Sequence, residues 1–527
     1  MLKSSGAMGA ATMASRLLGL VREQAYAAFM GNTMQASAFF FAFNIPNLFR
    51  RLLGEGVLSA AFIPIFKAKE KQEGREAMWR AANAVICGLI LATTVISVLV
   101  IIGASLMLAY GQLSPKWRLM LGLLRVMFPY LILVCFAAVC MGMLNARGYF
   151  FIPALGAGAL NVAMIASVFL LAPCMGKTLE TQIYALAIGV LVAGIAQAAF
   201  QMPNLKKEGY RFQWINPWTD PTVRDVVSKM LIGSIGVAAF QINVLLTQFM
   251  AFGSNDQVVA TFQYAVRFME LPQGVIGISL ATYLLPTLSG LFIDKKYGEF
   301  RSTLRQGMSY LIYINLLASV LLLVLAEPIV RLIFEHRKFG PQATREVSAA
   351  LMCLAPGLLA FSTVNVFARA FYAMNDIITP MKISIFCLFS NLALAAVLLF
   401  GLDLGATALG IANTLTAVMN VSLLTFALRK KLKSLEMKSL NQQWPALLGA
   451  ALGAGLAAYL GWQLVERFWG HSRFWAQFVA VFLPMALATL AYVGVTLWCK
   501  NPSGYDILGM VWGRLKRVYN RPKNQNP

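Results

Sequence analysis

The chain has 527 residues, 59% hydrophobic and 12% charged, with a formal net charge of +23. A water-soluble protein of this size cannot bury that much apolar surface. Apolar runs of about twenty residues recur along its length, each able to cross a hydrocarbon core of roughly 30 Å as a helix. The ten-residue alternation of a membrane β-barrel is absent, so the expected class is an all-α polytopic membrane protein. The charge reads as loop asymmetry and not as nucleic-acid binding.

About fourteen transmembrane helices are expected, near 8–30, 36–66, 80–110, 119–146, 152–174, 181–203, 224–252, 257–290, 302–326, 344–373, 378–401, 404–429, 443–465 and 474–499. With the N-terminus in the cytoplasm, the inside loops hold Lys67, Lys69, Lys71, Arg75 and Arg80, then Lys206, Lys207 and Arg211, then Lys295, Lys296, Arg301 and Arg305, and finally Arg429, Lys430, Lys431 and Lys433. The outside loops "GNTMQAS", "FGSND" and "FGLDLG" hold no Lys or Arg. The positive-inside rule therefore predicts two cytoplasmic termini. The outer loop "EPIVRLIFEHRKFGPQATRE" is basic against this trend and is expected to form a short amphipathic helix. Seven cysteines without CxxC spacing read as small apolar residues.

Pro129 and Pro153 bracket an apolar helix, the turn "LNARGY" and the next helix start; Pro356 and Pro380 repeat that spacing around "AMNDII". The spacing implies a duplication: residues 1–222 as an N-terminal lobe (helices 1–6) and 223–432 as a C-terminal lobe (helices 7–12), with helices 13–14 added over 433–500 and a basic cytoplasmic tail over 501–527. Duplicated lobes around a central cavity are a transporter pattern.

Charged side chains inside a bilayer cost about 2.5 kcal/mol or more each and need partners or water. Helix 1 carries Arg16, Arg22 and Glu23, helix 2 carries Arg50, Arg51 and Glu55, and helix 8 carries Arg267 and Glu270. Arg51 with Glu55 and Arg267 with Glu270 have the spacing of ion pairs along one helix. The arginines still outnumber the glutamates by two, which asks for an anion. Arginine binds phosphate bidentately and stays charged, so Arg16, Arg22, Arg50 and Arg267 are candidates for a diphosphate-binding cavity. Glu23, Arg51, Glu55 and Glu270 are its supporting ion pairs. Arg16 and Arg22 stand about 9 Å apart along the axis. Pro46, Gly56, Pro272 and Gly274 are candidate kink or gating positions.

The segments "ASRLLGLVREQAYAAFMG", "AFNIPNLFRRLLGEGVLSAAFIPIF" and "YAVRFMELPQGVIGISLATYLLPTLS" resemble the signature segments of the MurJ (MviN) family, bacterial lipid II flippases of the MATE-like exporter (MOP) superfamily. The resemblance spans nearly the whole chain. It implies flipping of lipid II, an undecaprenyl-diphosphate disaccharide-pentapeptide, from the inner to the outer leaflet of the cytoplasmic membrane. It assigns functional roles to Arg16, Arg22, Arg50 and Arg267, and a lipid-tail groove to helices 13 and 14. Implied partners are lipid II, membrane lipids and the cell-wall synthesis and division machinery. No cofactor is implied beyond a coupling cation (sodium or proton) or the membrane potential; Asn243, Asn391, Asn413 and Thr416 are the polar residues in the helices where some relatives hold sodium. The chain departs from some relatives at Ser37, where they carry aspartate, and at Asn44, where they carry lysine. Alternatives are a flippase for another polyprenyl-diphosphate-linked saccharide, or a MATE-like exporter. An enzyme is not expected: there is no Asp-rich metal motif and no P-loop.

Overall fold

The computed structural model describes residues 2–53, 57–149, 151–433, 442–470 and 473–509. Among these residues all regular structure is helical. The first half runs through α1 (Leu2–Met30), α2 (Met34–Leu53), α3 (Val57–Tyr110), α4 (Pro115–Met127), α5 (Tyr130–Ala146), α6 (Phe151–Ala166), the short α7 (Leu179–Gln182), α8 (Tyr184–Lys207) and α9 (Pro221–Ser254). The second half has α10 (Val258–Pro272), α11 (Ser279–Ile293), α12 (Tyr297–Val324), α13 (Ala326–Phe334), α14 (Pro341–Leu354), α15 (Gly357–Ala373), α16 (Ile378–Ala396), α17 (Gly405–Leu432), α18 (Trp444–Trp469) and α19 (Phe474–Trp498).

Nine helices among the described residues are long and apolar enough to cross a membrane, and eleven if each of two bent pairs is one span. That is fewer than the fourteen expected. Helices α1, α2 and α9 overlap the other three expected spans, and α1 and α2 are diluted by charged and polar side chains. The bent pairs are α4 with α5, at 43°, and α14 with α15, at 46°. Their bends fall at Pro129 and Pro356, the first members of the two repeated proline pairs.

One boundary differs from the sequence reading. Of the helix expected over 36–66, α2 covers the described residues to Leu53 and α3 those from Val57, and residues 54–56 lie outside the described residues. The expected loop 67–79 is helical on both sides of a break at Gly74 (φ 91°, ψ −179°). The stretch "FKAKEKQEGREAMWR" is rich in strong helix formers, and Lys69 pairs with Glu73 one turn on. Only glycine takes the φ at the break without strain. In the basic segment after α12, α13 forms as expected, burying Pro328, Ile329, Val330 and Phe334.

The chain packs as two compact units, Met1–Ala260 with His336–Gly340, and Thr261–Glu335 with Pro341–Pro527. In the first, Phe41 of α2, Trp117 of α4 and Phe252 of α9 form an aromatic cluster, with Trp117 edge-on to Phe252 at 4.8 Å. A second core joins Phe62, Phe66, Met78 and Ile86 of α3 to Cys140 and Met143 of α5 and to Tyr210. This unit runs past the expected lobe boundary at 222/223, with α9 packed on α2 and α3. In the second unit, Tyr264 and Phe268 of α10 meet Phe334 of α13, each at 5.1 Å. Helices α18 and α19 pair with one another and lean on α12 and α13. There Tyr492 donates to the Tyr313 carbonyl at 2.9 Å. Arg331 of α13 pairs with Glu327 and also reaches Glu466 of α18 at 3.5 Å. Large apolar side chains such as Leu452 and Leu490 point outward, as a hydrocarbon surrounding requires.

Candidate functional site

The most enclosed charged group among the expected site residues is on α1. Arg22 and Glu23 are neighbours in sequence, and their side chains are 15% and 3% exposed. Arg22 Nη2 lies 2.5 Å from Glu23 Oε1, and its Nη1 donates to Asn161 Oδ1 of α6 at 3.0 Å. Asn161 Nδ2 donates in turn to the Ser15 carbonyl, two turns back on α1, at 3.0 Å. One turn ahead, the Tyr26 ring lies 5.5 Å from the guanidinium carbon, and Tyr26 packs against Phe39 and Phe40 of α2. The arginine is thus oriented by a carboxylate, an amide and an aromatic face. Such charge-assisted contacts hold a planar donor fork in one direction.

Arg16 behaves differently. Six residues is not a whole number of helical turns, and Arg16 is exposed while Arg22 is half-buried. On α2, Arg50 Nε donates to Asn47 Oδ1 at 2.8 Å, a contact within one helix. Arg51 is exposed, and its Nη1 lies 3.5 Å from Gln241 Oε1 of α9. Glu55 and Gly56 lie outside the described residues, so the expected Arg51–Glu55 pair and the Gly56 bend have no structural description. Pro46 is buried within α2, which continues through it.

A polar seam that sequence reasoning missed runs along α2. Ser37, Asn44 and Arg51 are spaced by seven, two helical turns, and so share a face. Ser37 Oγ accepts from the Ala260 amide at 3.1 Å, Asn44 Nδ2 donates to Gln248 Oε1 at 2.9 Å, and Arg51 meets Gln241. Gln241 and Gln248 show the same spacing on α9, and that spacing was the available signal.

In the second unit, Arg267 Nη1 pairs with Glu270 Oε2 at 2.8 Å, at the expected i,i+3 spacing; Glu270 is half exposed. Pro272 closes α10, and a π-helical segment, Gln273–Ile278, follows before α11. A proline without an N–H, next to a wider turn, is a physical cause of local unwinding. Gly274 and Gly277 are buried in this segment; a Cβ on Gly277 would sit 2.8 Å from Ser362 Oγ of α15.

Two of the expected cation residues meet. Asn391 of α16 and Thr416 of α17 are buried together, Nδ2 to Oγ1 at 3.4 Å. Asn413 donates to the Leu409 carbonyl of its own helix at 2.7 Å. Asn243 is on α9, in the first unit. Among the described residues no group of three His, Cys, Asp or Glu has metal-holding geometry.

Helices this apolar, bent at matching prolines and carrying an oriented half-buried arginine, define a polytopic membrane transporter. The fold is similar to that of the solved structure "Lipid II flippase MurJ, inward closed conformation", with TM-score 0.73 and 21% identity over 94% of this chain and 99% of that one. It is also similar to an inward-facing multidrug resistance MATE family transporter of the MOP superfamily, with TM-score 0.64 and 15% identity over 81% of this chain and 96% of the other. The family model "Lipid II flippase MurJ" matches residues 26–482. The chain is 33% identical to the probable lipid II flippase MurJ of Vibrio cholerae over 88% of this chain and 89% of that protein. It is 32% identical to the lipid II flippase MurJ of Burkholderia cenocepacia over 88% and 90%. The chain belongs to the lipid II flippase MurJ family, as its signature segments led us to expect. The family match starts at residue 26, after Arg16, Arg22 and Glu23.

Proposed function

We propose that the chain moves lipid II from the inner to the outer leaflet of the bacterial cytoplasmic membrane by alternating access. The family match over residues 26–482 carries this reading. Arg16, Arg22, Arg50 and Arg267 bind the diphosphate. Arg22 is the best prepared of them, because Glu23 and Asn161 already fix its direction. The unwound segment after Pro272 is the element that bends during the cycle. Both termini lie in the cytoplasm, supported by the distribution of Lys and Arg among the loops. The inside-negative potential helps outward movement of a dianionic headgroup, by about 2.3 kcal/mol per charge per 100 mV.

The test is to deplete the native flippase in a bacterium, supply this chain, and follow survival and lipid II exposure on the outer leaflet. Rescue by wild type and loss of rescue with membrane-inserted Arg16→Ala, Arg50→Ala and Arg267→Ala is expected. Rescue with fully active variants would keep the substrate and reject the arginine site. Failure of correctly inserted wild type would favour another polyprenyl-diphosphate-linked saccharide.

A further inference from the structure

At the end of α8 the chain turns through Gly209 (φ 88°) and then runs as an extended segment along α3. Asn83 Nδ2 donates to the Arg211 carbonyl at 2.9 Å, and the Ile215 amide lies 3.5 Å from Cys87 Sγ. Gly88 of α3 packs against Pro217, where an added Cβ would meet the proline ring at 3.3 Å. These contacts seat the segment in one place. Its side chains nevertheless point outward: Phe212 is 52% exposed, Trp214 63% and Trp218 79%.

Between this segment, α8 and α5 is a cleft of ≈510 Å³, lined by Phe136, Met202, Lys206, Gly209, Tyr210, Arg211 and Phe212. Its walls are apolar and aromatic, and its charged groups are both cationic. Among the described residues neither Lys206 nor Arg211 has an ion-pair partner. The nearest acid in sequence, Glu208, is occupied, accepting from Tyr149 Oη at 2.8 Å and from Arg147 Nε at 2.9 Å. The cleft lies where the apolar run Leu179–Lys207 ends, so it falls at the boundary between hydrocarbon and water.

We propose that this cleft seats the headgroup of an anionic phospholipid. Lys206 and Arg211 hold the phosphate, and Phe136, Met202 and Phe212 line the start of the acyl chains. Phe212, Trp214 and Trp218 lie at the level where aromatic side chains are favoured in membranes. Basic pockets at helix ends attract anionic headgroups, each cation adding about 1 kcal/mol near a charged surface. A soluble acidic partner would make no use of the apolar wall. The inference rests on the membrane-spanning reading and is independent of which lipid the chain transports.

The test is native mass spectrometry of the full chain in detergent, with phosphatidylglycerol as the probe and phosphatidylcholine as the neutral-headgroup control. Lys206→Gln with Arg211→Gln is expected to reduce phosphatidylglycerol binding about thirtyfold, leave phosphatidylcholine unchanged, and keep the thermal unfolding of wild type. Phe212→Ala, which keeps both charges, should weaken binding by a smaller factor. Lys295→Gln with Lys296→Gln removes the same charge elsewhere and should have little effect. Wild-type binding by the Lys206/Arg211 variant, an equal loss in the Lys295/Lys296 variant, equal binding of both lipids, or displacement by inorganic phosphate would each overturn the proposal.

Discussion

In the first unit Arg22 is held by Glu23, Asn161 and the face of Tyr26, drawn from two helices. In the second, Arg267 has its ion pair with Glu270, one turn along its own helix and half exposed. The two arginines look equivalent in sequence, each an interruption of an apolar helix beside a glutamate. The difference lies in burial. A buried pair needs its remaining donors and acceptors satisfied by other elements; Asn161 supplies one such partner, to Arg22 Nη1, while Arg22 Nε has none among the described residues. A pair near the surface is weakened by solvent and holds its partner loosely. Arg22 is therefore built into the packing of its unit, while Arg267 rests on a helix that unwinds six residues later.

Removing each arginine sharpens or breaks this comparison. Arg22→Ala leaves Glu23 buried without this cation and is expected to lower stability by about 3 kcal/mol. Arg267→Ala should cost less than about 1 kcal/mol, so that transport lost in this variant would report on the proposed binding role and not on folding. The measurement is thermal unfolding of each purified variant, set beside its level in the membrane. Equal destabilisation by the two substitutions would mean that the contrast in burial does not govern them.

The apolar runs placed most helices within a few residues, since hydrophobic length is written locally in a membrane protein. The pairing of Arg267 with Glu270 was legible for the same reason: one helical turn fixes it. The partners of Arg22 and Arg51 were not. Asn161 is 139 positions from Arg22, and a single asparagine in an apolar helix carries no sign of which neighbour it faces. Six residues do not put Arg16 and Arg22 on one stripe of the helix, and the structure leaves Arg16 exposed and Arg22 half-buried. The helix across 67–79 was read as a loop because charge density was taken as the signal, while the helix-forming character of those same residues decided the structure. The matched proline spacing was visible in the sequence, and the structure bends the chain at Pro129 and at Pro356.

The turns that follow those bends share a backbone and exchange their charges. Each passes through a left-handed residue, Gly148 or Asn375. Each closes with the same hydrogen bond, Tyr149 N to Leu144 O at 2.9 Å and Asp376 N to Phe371 O at 3.0 Å, as helix ends of this kind do. In the first turn Arg147 binds Glu208 beyond α8; in the second Asp376 binds Lys431 in the last turn of α17 at 2.7 Å. If the two ties do equivalent work, polarity is immaterial. Lys431→Asp should cost about 0.5–1 kcal/mol and Asp376→Lys more, because Asp376 also accepts from Thr379 N and Oγ1, and the double variant should recover the ion-pair part alone. A double-mutant cycle by thermal unfolding measures the coupling, and additive losses would show that the pair has no coupling to restore.

The smallest effect expected is a pH dependence of the first turn. The Tyr149 hydroxyl, and then Arg147, hold the Glu208 carboxyl below its ordinary value of 4.5. A carboxylate lowered on folding contributes stability that is complete above that ordinary value and is lost as pH falls through the lowered one. Amide hydrogen exchange at Arg147, Gly148 and Tyr149, corrected for its intrinsic pH dependence, should therefore stay protected down to the carboxylate range and rise below it. Glu208→Gln should remove most of that pH dependence, because the amide cannot titrate. Loss of protection beginning well above the carboxylate range, or an unchanged profile in Glu208→Gln, would separate the turn's stability from this carboxylate and leave Arg147 to act through Glu70.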